Sequence, residues 1–314
     1  MAKLTPNYTY EINGVLIKEK IIPDGTRWKD AAKAANAGFG ANELYKKNRK
    51  LTDNTGKVLS ITVHNTDDLD RVEDDGEQYT RATYNENMGS ARVTLYIDDV
   101  CAWQNLKAGT GLCPNDPLGS AEVGWHAGDG SVRDGGNMTS IGIEVIMNDN
   151  EEHDAKAYDN SARIIAWLLK HHGLTINDVV THTYWVNKAA GNLFDDVDMQ
   201  CTNPVYGKKW CPAYIFNSYS QSKALQNWKK YKALIQKYLD RLNKSAEPVK
   251  PQKENTQVES QKDNTPSDWA KPAVDFAVDN DILFGDNNGN YQLQKTCTRQ
   301  EMLVFLYRMY KLIK

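Results

Sequence analysis

Imidazole and thiol side chains hold metals and move protons, and in this sequence most of them stand at isolated points rather than in runs. The segment GKKWCPAYIF (207–216) sets Cys211 between a tryptophan and a proline, two residues after Lys209. Inert cysteines more often lie among aliphatic residues, so this thiol reads as placed for chemistry. Six histidines are available to share a site with it. His171 and His172 end an expected helix and face the negative pole of its dipole. His153 lies in the charged run NDNEEHDAK and reads as solvated. That leaves His64 in VHNT, His126 in GWHAG and His182 in VVTHTYW.

A catalytic zinc site takes three protein ligands, commonly His and Cys, and keeps a fourth position for water. The absence of any CxxC or HxxxH pair argues against a local finger. His64, His182 and Cys211 are far apart in the chain, each at the edge of an expected regular element. Such a distribution suits a site assembled by the fold. Spacing alone leaves other readings open, including a histidine merely packed in a turn, and Cys201 is a competing thiol.

The elements that must carry these residues are legible from periodicity. LSITVHNT (59–66) alternates, with Ile61 and Val63 on one face and Ser60, Thr62 and His64 on the other. SIGIEVIM (140–147) does the same, with Ile141, Ile143 and Val145 opposite Gly142 and Glu144. Both are expected strands with one face packed and the other partly open. VTLYIDD (93–99) and VCAWQNL (100–106) suggest a further strand or a hairpin. Helical spacing runs from about Ala155 to His172, where Gly173 supplies a cap, and from about Gln221 to Leu242. In the second helix Leu225, Trp228, Tyr231, Leu234, Ile235 and Tyr238 form a broad packing face. The pattern is that of a mixed α/β domain.

Composition bounds the partners. The chain has 314 residues, enough for one large domain and a small module. A net charge of −3 gives no global attraction to nucleic acid. No apolar run is long enough to cross a bilayer, and the N-terminus shows no apolar signal region, so synthesis without a secretory signal is expected. Five scattered cysteines, an odd number, form no disulfide framework and fit a reducing cytosol. Residues 245–266 (SAEPVKPQKENTQVESQKDNTP) have the composition of a solvated linker. The expected organisation is a domain over 1–243, a linker over 244–266 and a module over 267–314.

VHNT, GWHAG, SIGIEV, VVTHTYW and KWCP, in this order, resemble the zinc-dependent type 2 N-acetylmuramoyl-L-alanine amidases, which include many phage endolysins and are related to peptidoglycan recognition proteins. The resemblance runs from about Lys57 to Phe216. It implies a mixed central sheet flanked by helices, a Zn²⁺ cofactor, and hydrolysis of the amide joining N-acetylmuramic acid to L-alanine in peptidoglycan. Residue by residue, it makes His64, His182 and Cys211 the metal ligands. It makes Glu144 the general base and Lys209 the lysine beside the carbonyl oxygen. Asn65, Trp125 and His126 become substrate-binding residues, with His126 near the cleft rather than on the metal. Two departures stand out. Thr94 and Leu95 replace the usual H-Y pair, and an insertion over about 186–207, holding Cys201, separates His182 from Lys209.

Residues 267–314 read helix, Gly/Asn-rich turn, helix, an all-α module. Ala273, Phe276 and Ala277, with Trp269, make one stripe, and Met302, Phe305, Leu306 and Met309 make another. Thr298 and Glu301 have the spacing of a capping box. WAKPAVDFAV, a DxxG-type turn and TRQE resemble a single S-layer homology motif, in which Thr298 and Arg299 lie near the site for a secondary cell-wall polymer. So small a module buries little core, so homo-oligomerisation through it is a further expectation. Together these readings describe a phage or prophage endolysin, made in the cytoplasm and acting at the wall after release. Two alternatives use the same fold: a non-catalytic peptidoglycan-binding protein, and a cytosolic amidase that recycles muropeptides.

Overall fold

The structure is a computed structural model that describes residues 4–23, 49–66, 76–85, 87–88, 91–130, 132–148, 150–189, 210–244, 264–267, 270–280, 282–284, 290–291, 293 and 299–313. The chain divides into two compact units, Met1–Pro248 and Val249–Lys314. The linker stretch up to residue 263 and the insertion from 190 lie outside the described residues.

In the first unit the described residues form seven strands: β1 (Tyr8–Ile12), β2 (Val15–Glu19), β3 (Ser60–Asn65), β4 (Leu95–Ile97), β5 (Ala102–Gln104), β6 (Ser140–Val145) and β7 (Val179–Thr181). They form one sheet in the order β1-β2-β5-β4-β6-β3-β7. The β1–β2 and β4–β5 pairs are antiparallel, and the others are parallel. The expected mixed sheet is therefore present, and β4 and β5 make the hairpin suggested by residues 93–106. The β1–β2 hairpin is an addition to the expected strands. Its turn residues Asn13 and Gly14 both have positive φ, 49° and 78°, the conformation for which Asn-Gly is selected in two-residue hairpins.

Among the described residues, the helices that bear on the core and the site are α1 (Gly76–Tyr84), α2 (Gly136–Thr139), α3 (Glu151–His172), α4 (His182–Ala189), α5 (Ala213–Phe216) and α6 (Gln221–Lys244). The α3 helix starts where the Asn150 side chain accepts from the Glu152 amide, has three acids in its first turn, and ends at Gly173 with φ 68°. Its buried Ile164, Ile165, Leu168 and Leu169 pack with Trp228 and Ile235 of α6 and with Ile61, Val63, Ile141 and Ile143 of the sheet. Burying each such aliphatic side chain is worth about 1.5–3 kcal/mol. The Ser161 and Tyr231 hydroxyls bridge α3 and α6 at 2.6 Å, so these two buried polar groups satisfy each other.

Two sequence readings are corrected here. The second face of β3 is not partly open, because all six of its residues are buried. Thr62 bonds the Ser140 hydroxyl and accepts from the Trp185 indole, both at 2.7 Å, and these cover the face that periodicity marks as polar. His172 does not act as a charged partner of the helix dipole: burial, with His171 beside it, lowers its pKa to about 4.

The second unit contains α7 (Lys271–Asp279) and α8 (Arg299–Ile313). The Arg308 guanidinium donates to the Ile282 carbonyl at 2.8 Å and lies over the Phe284 ring. Phe276, Met302, Leu306 and Met309 of the expected stripes are exposed. Thr298, the Arg299 side chain and the expected capping box lie outside the described residues.

Candidate metal centre

The site begins with strand register. On β3 and β6, His64 stands directly opposite Glu144, and on β4 Tyr96 stands opposite Glu144 in turn. Side chains in register on paired strands share a face, so this row aligns an imidazole, a carboxylate and a phenol. Val63 pairs with Thr181 at the end of β7, which brings His182, the first residue of α4, level with His64. The site thus lies at the carboxyl ends of parallel strands, where open α/β sheets hold ligands.

The third donor arrives on a different kind of support. Thr183 follows His182, and its hydroxyl exchanges two hydrogen bonds with the Cys211 backbone. It accepts from the Cys211 amide and donates to the Cys211 carbonyl, both at 3.0 Å. The Thr183 amide also donates to that carbonyl at 3.1 Å. After Cys211, the Asn65 side-chain oxygen accepts from the amides of Tyr214 and Ile215 at the start of α5. The Asn65 amide group donates to the Val145 carbonyl. Asn65 lines the cleft, but its polar atoms are committed to holding α5 against the sheet.

These supports bring His64, His182 and Cys211 together. One ligand atom from each lies within 4.8 Å of the others. His64 Nδ1 is 3.1 Å from His182 Nδ1 and 3.8 Å from Cys211 Sγ. Donors around a tetrahedral zinc ion at bond lengths of ~2.0–2.3 Å are themselves roughly 3.3–3.8 Å apart, so two nitrogens and a sulfur here fit a metal ion. His64 and Cys211 are buried, and His182 is half-buried. Among the described residues Cys211 is the thiol placed with the two histidines, and Cys201 and Lys209 lie outside the described residues.

His126 packs behind His64. Its Nδ1 is 3.0 Å from His64 Nε2, and its backbone amide donates to the Asn137 side chain at 2.7 Å. Asn137 begins as the second residue of α2, where Asp129 accepts from the Gly136 and Asn137 amides. Burial raises Asp129 to a pKa of about 6 against the pull of those amides, and lowers His126 to about 4. The space that glycine leaves beside Glu144 is filled by this ring. A Cβ on Gly142 would meet His126 Cδ2 at 2.7 Å, and one on Gly124 would meet the same atom at 2.7 Å.

A cleft of about 280 Å³ opens over the three donors. Trp125, His126 and Glu144 line it, while Met88, Ala91, Val93 and Tyr96 give it an apolar wall that the motifs did not mark. Leu95, the second residue of the Thr94–Leu95 departure, belongs to the core cluster, and its neighbour Tyr96 lines the cleft. Burial raises the Tyr96 phenol far above its usual range, with nearby Glu144 adding to the effect. Thr183, Asn137 and Asp129 were also missed, because their contacts close only in the folded chain.

A mixed sheet with two imidazoles, a thiol and a carboxylate converging near its strand ends defines an α/β protein with a candidate metal centre. The N-acetylmuramoyl-L-alanine amidase family matches residues 54–214, more than half of the chain, and the chain belongs to that family. An S-layer homology domain matches residues 262–303. The chain is 35% identical over 130 residues to N-acetylmuramoyl-L-alanine amidase XlyA of Bacillus subtilis (strain 168), covering 41% of this chain and 38% of that protein. It is 34% identical over 128 residues to N-acetylmuramoyl-L-alanine amidase CwlH of the same strain, covering 41% of this chain and 45% of that protein. It thus spans less than half the length of these curated relatives. The catalytic domain of XlyA superimposes with a TM-score of 0.44 at 25% identity, covering 70% of this chain and 98% of that one. The PlyG catalytic domain gives 0.44 at 18%, covering 71% and 94%.

Proposed function

We propose that the chain hydrolyses the amide bond between N-acetylmuramic acid and L-alanine in peptidoglycan, with zinc held by His64, His182 and Cys211. The observation that carries this reading is the approach of the three donors to within 4.8 Å, with Glu144 in register beside His64. Amides resist water because the carbonyl is a weak electrophile and the amine a poor leaving group. A divalent ion bound there supplies Lewis acidity and lowers the pKa of water to about 7. Glu144 takes the proton of the attacking water and returns it to the departing nitrogen. Lys209, two residues before Cys211, meets the negative charge growing on the carbonyl oxygen. One donor of this sort is worth on the order of 3 kcal/mol in the transition state. Trp125 and the apolar wall orient the substrate.

The S-layer homology motif delivers the catalytic unit to the wall by binding a secondary cell-wall polymer near Thr298 and Arg299. The exposed apolar residues of α8 offer a surface for self-association. Deleting residues 245–314 is expected to weaken adsorption to cell walls while sparing hydrolysis of soluble muropeptides. The decisive experiment incubates purified protein with isolated walls, with and without a chelator, and identifies the new chain ends. Free L-alanine amino termini that vanish with the chelator are expected. Adsorption without new termini would make the protein a binder. Activity on soluble muropeptides but not on intact walls would make it a recycling enzyme.

A further inference from the structure

We infer that His126 is a positioning residue that fixes the tautomer of His64, by accepting a hydrogen bond at Nδ1 from His64 Nε2–H. This rests on the metal reading above. His64 turns Nδ1 toward His182 Nδ1 at 3.1 Å and Cys211 Sγ at 3.8 Å, and turns Nε2 toward His126 Nδ1 at 3.0 Å. A neutral imidazole has one N–H and one lone pair. A metal on the Nδ1 side needs the lone pair there, so the hydrogen must sit on Nε2. His126 then presents its own lone pair at Nδ1 and carries its hydrogen on Nε2. The acceptor is held firmly. The glycines at 124 and 142 leave room for the ring and nothing more, and Asn137 Oδ1 accepts from both the His126 and Ala127 amides at 2.7 Å. Metal-bound histidines usually donate their second N–H to a carboxylate or a carbonyl. A neutral imidazole orients the ring equally well but adds no negative charge, so anionic charge near the metal is left to Cys211 and Glu144.

The test uses the full chain, with His126→Leu and His126→Asn, whose side-chain oxygen can take the place of Nδ1. Long-range ¹H–¹⁵N spectra of metal-free wild type should show the proton of His64 on Nε2 and that of His126 on Nε2. His126→Leu should weaken Zn²⁺ binding, measured by chelator competition, by about 10–100-fold and leave His64 a tautomer mixture, and His126→Asn should recover most of both. A wild-type proton on His126 Nδ1 overturns the inference, whether or not either variant folds. So does a folded His126→Leu that keeps wild-type affinity and a single His64 tautomer. A wild-type chain that takes no zinc sinks the proposed function instead, while the metal-free spectra still decide the tautomer.

Discussion

The two halves of the candidate metal centre are held by different physics. His64 and Glu144 ride on the paired strands β3 and β6, so ladder register sets their spacing. His182 and Cys211 stand at the edges of short helices, and side-chain hydrogen bonds from Thr183 and Asn65 hold that half in place. Every residue of β3 is buried, and the ring of His126 packs against Gly142 on β6, so this half is limited by volume, since interiors are packed to near-crystal density. The half that rides on helix edges is limited by polar satisfaction. A substitution that adds a methyl group should therefore hurt the first half, and one that removes a hydroxyl should hurt the second.

The largest effects come from the donors themselves. Cys211→Ala is expected to reduce both zinc content, measured by metal analysis, and wall hydrolysis to background, because two imidazoles alone make a weak site. Glu144→Gln keeps the donors and should keep the zinc while lowering kcat by about 10²–10⁴-fold. If Glu144→Gln lost zinc as completely as Cys211→Ala, the carboxylate would belong to the metal rather than to proton transfer. Lys209→Ala should lower kcat by roughly a hundredfold with zinc retained, the value of one oxyanion donor.

Gly142→Ala tests the volume limit. Its backbone accepts alanine, yet the new Cβ would lie 2.7 Å from His126 Cδ2 and 2.8 Å from Cγ, so the ring must move. Overpacking of this kind costs about 1–3 kcal/mol, which is expected as a fall in denaturant midpoint together with weaker zinc binding. A variant as stable and as zinc-avid as wild type would show that the His126 seat is loose.

How much of this was legible follows from the same division. Period-two alternation put His64 and Glu144 on the polar faces of their strands, because one face of each had to be apolar. Motif order named His182 and Cys211, whose association depends on neither periodicity nor local spacing. Gly142 falls on a strand face expected to be partly open, and only the folded chain shows that His126 packs against it. The β1–β2 hairpin carries an Asn13-Gly14 signal that could have been found. Nothing local marks Thr183, which looks like any helix-terminal threonine until Cys211 closes on it from 28 residues away. In the second unit the apolar stripes were legible, but stripes do not say what covers them.

Thr183 gives the finest cut between the halves. Thr183→Val is nearly isosteric, so it leaves volume unchanged and removes only the hydroxyl that serves the Cys211 amide and carbonyl. Each lost hydrogen bond is worth on the order of 1 kcal/mol, and the cost falls on the turn that presents the thiol. The expected result is a Tm lower by about 2–4 °C per kcal/mol and a faster release of zinc to a chelator. Thr183→Ser keeps the hydroxyl and should restore most of both. Greater damage from serine than from valine would mean that the methyl group, not the hydrogen bonds, secures Cys211, and the distinction between a volume-limited half and a bond-limited half would fail.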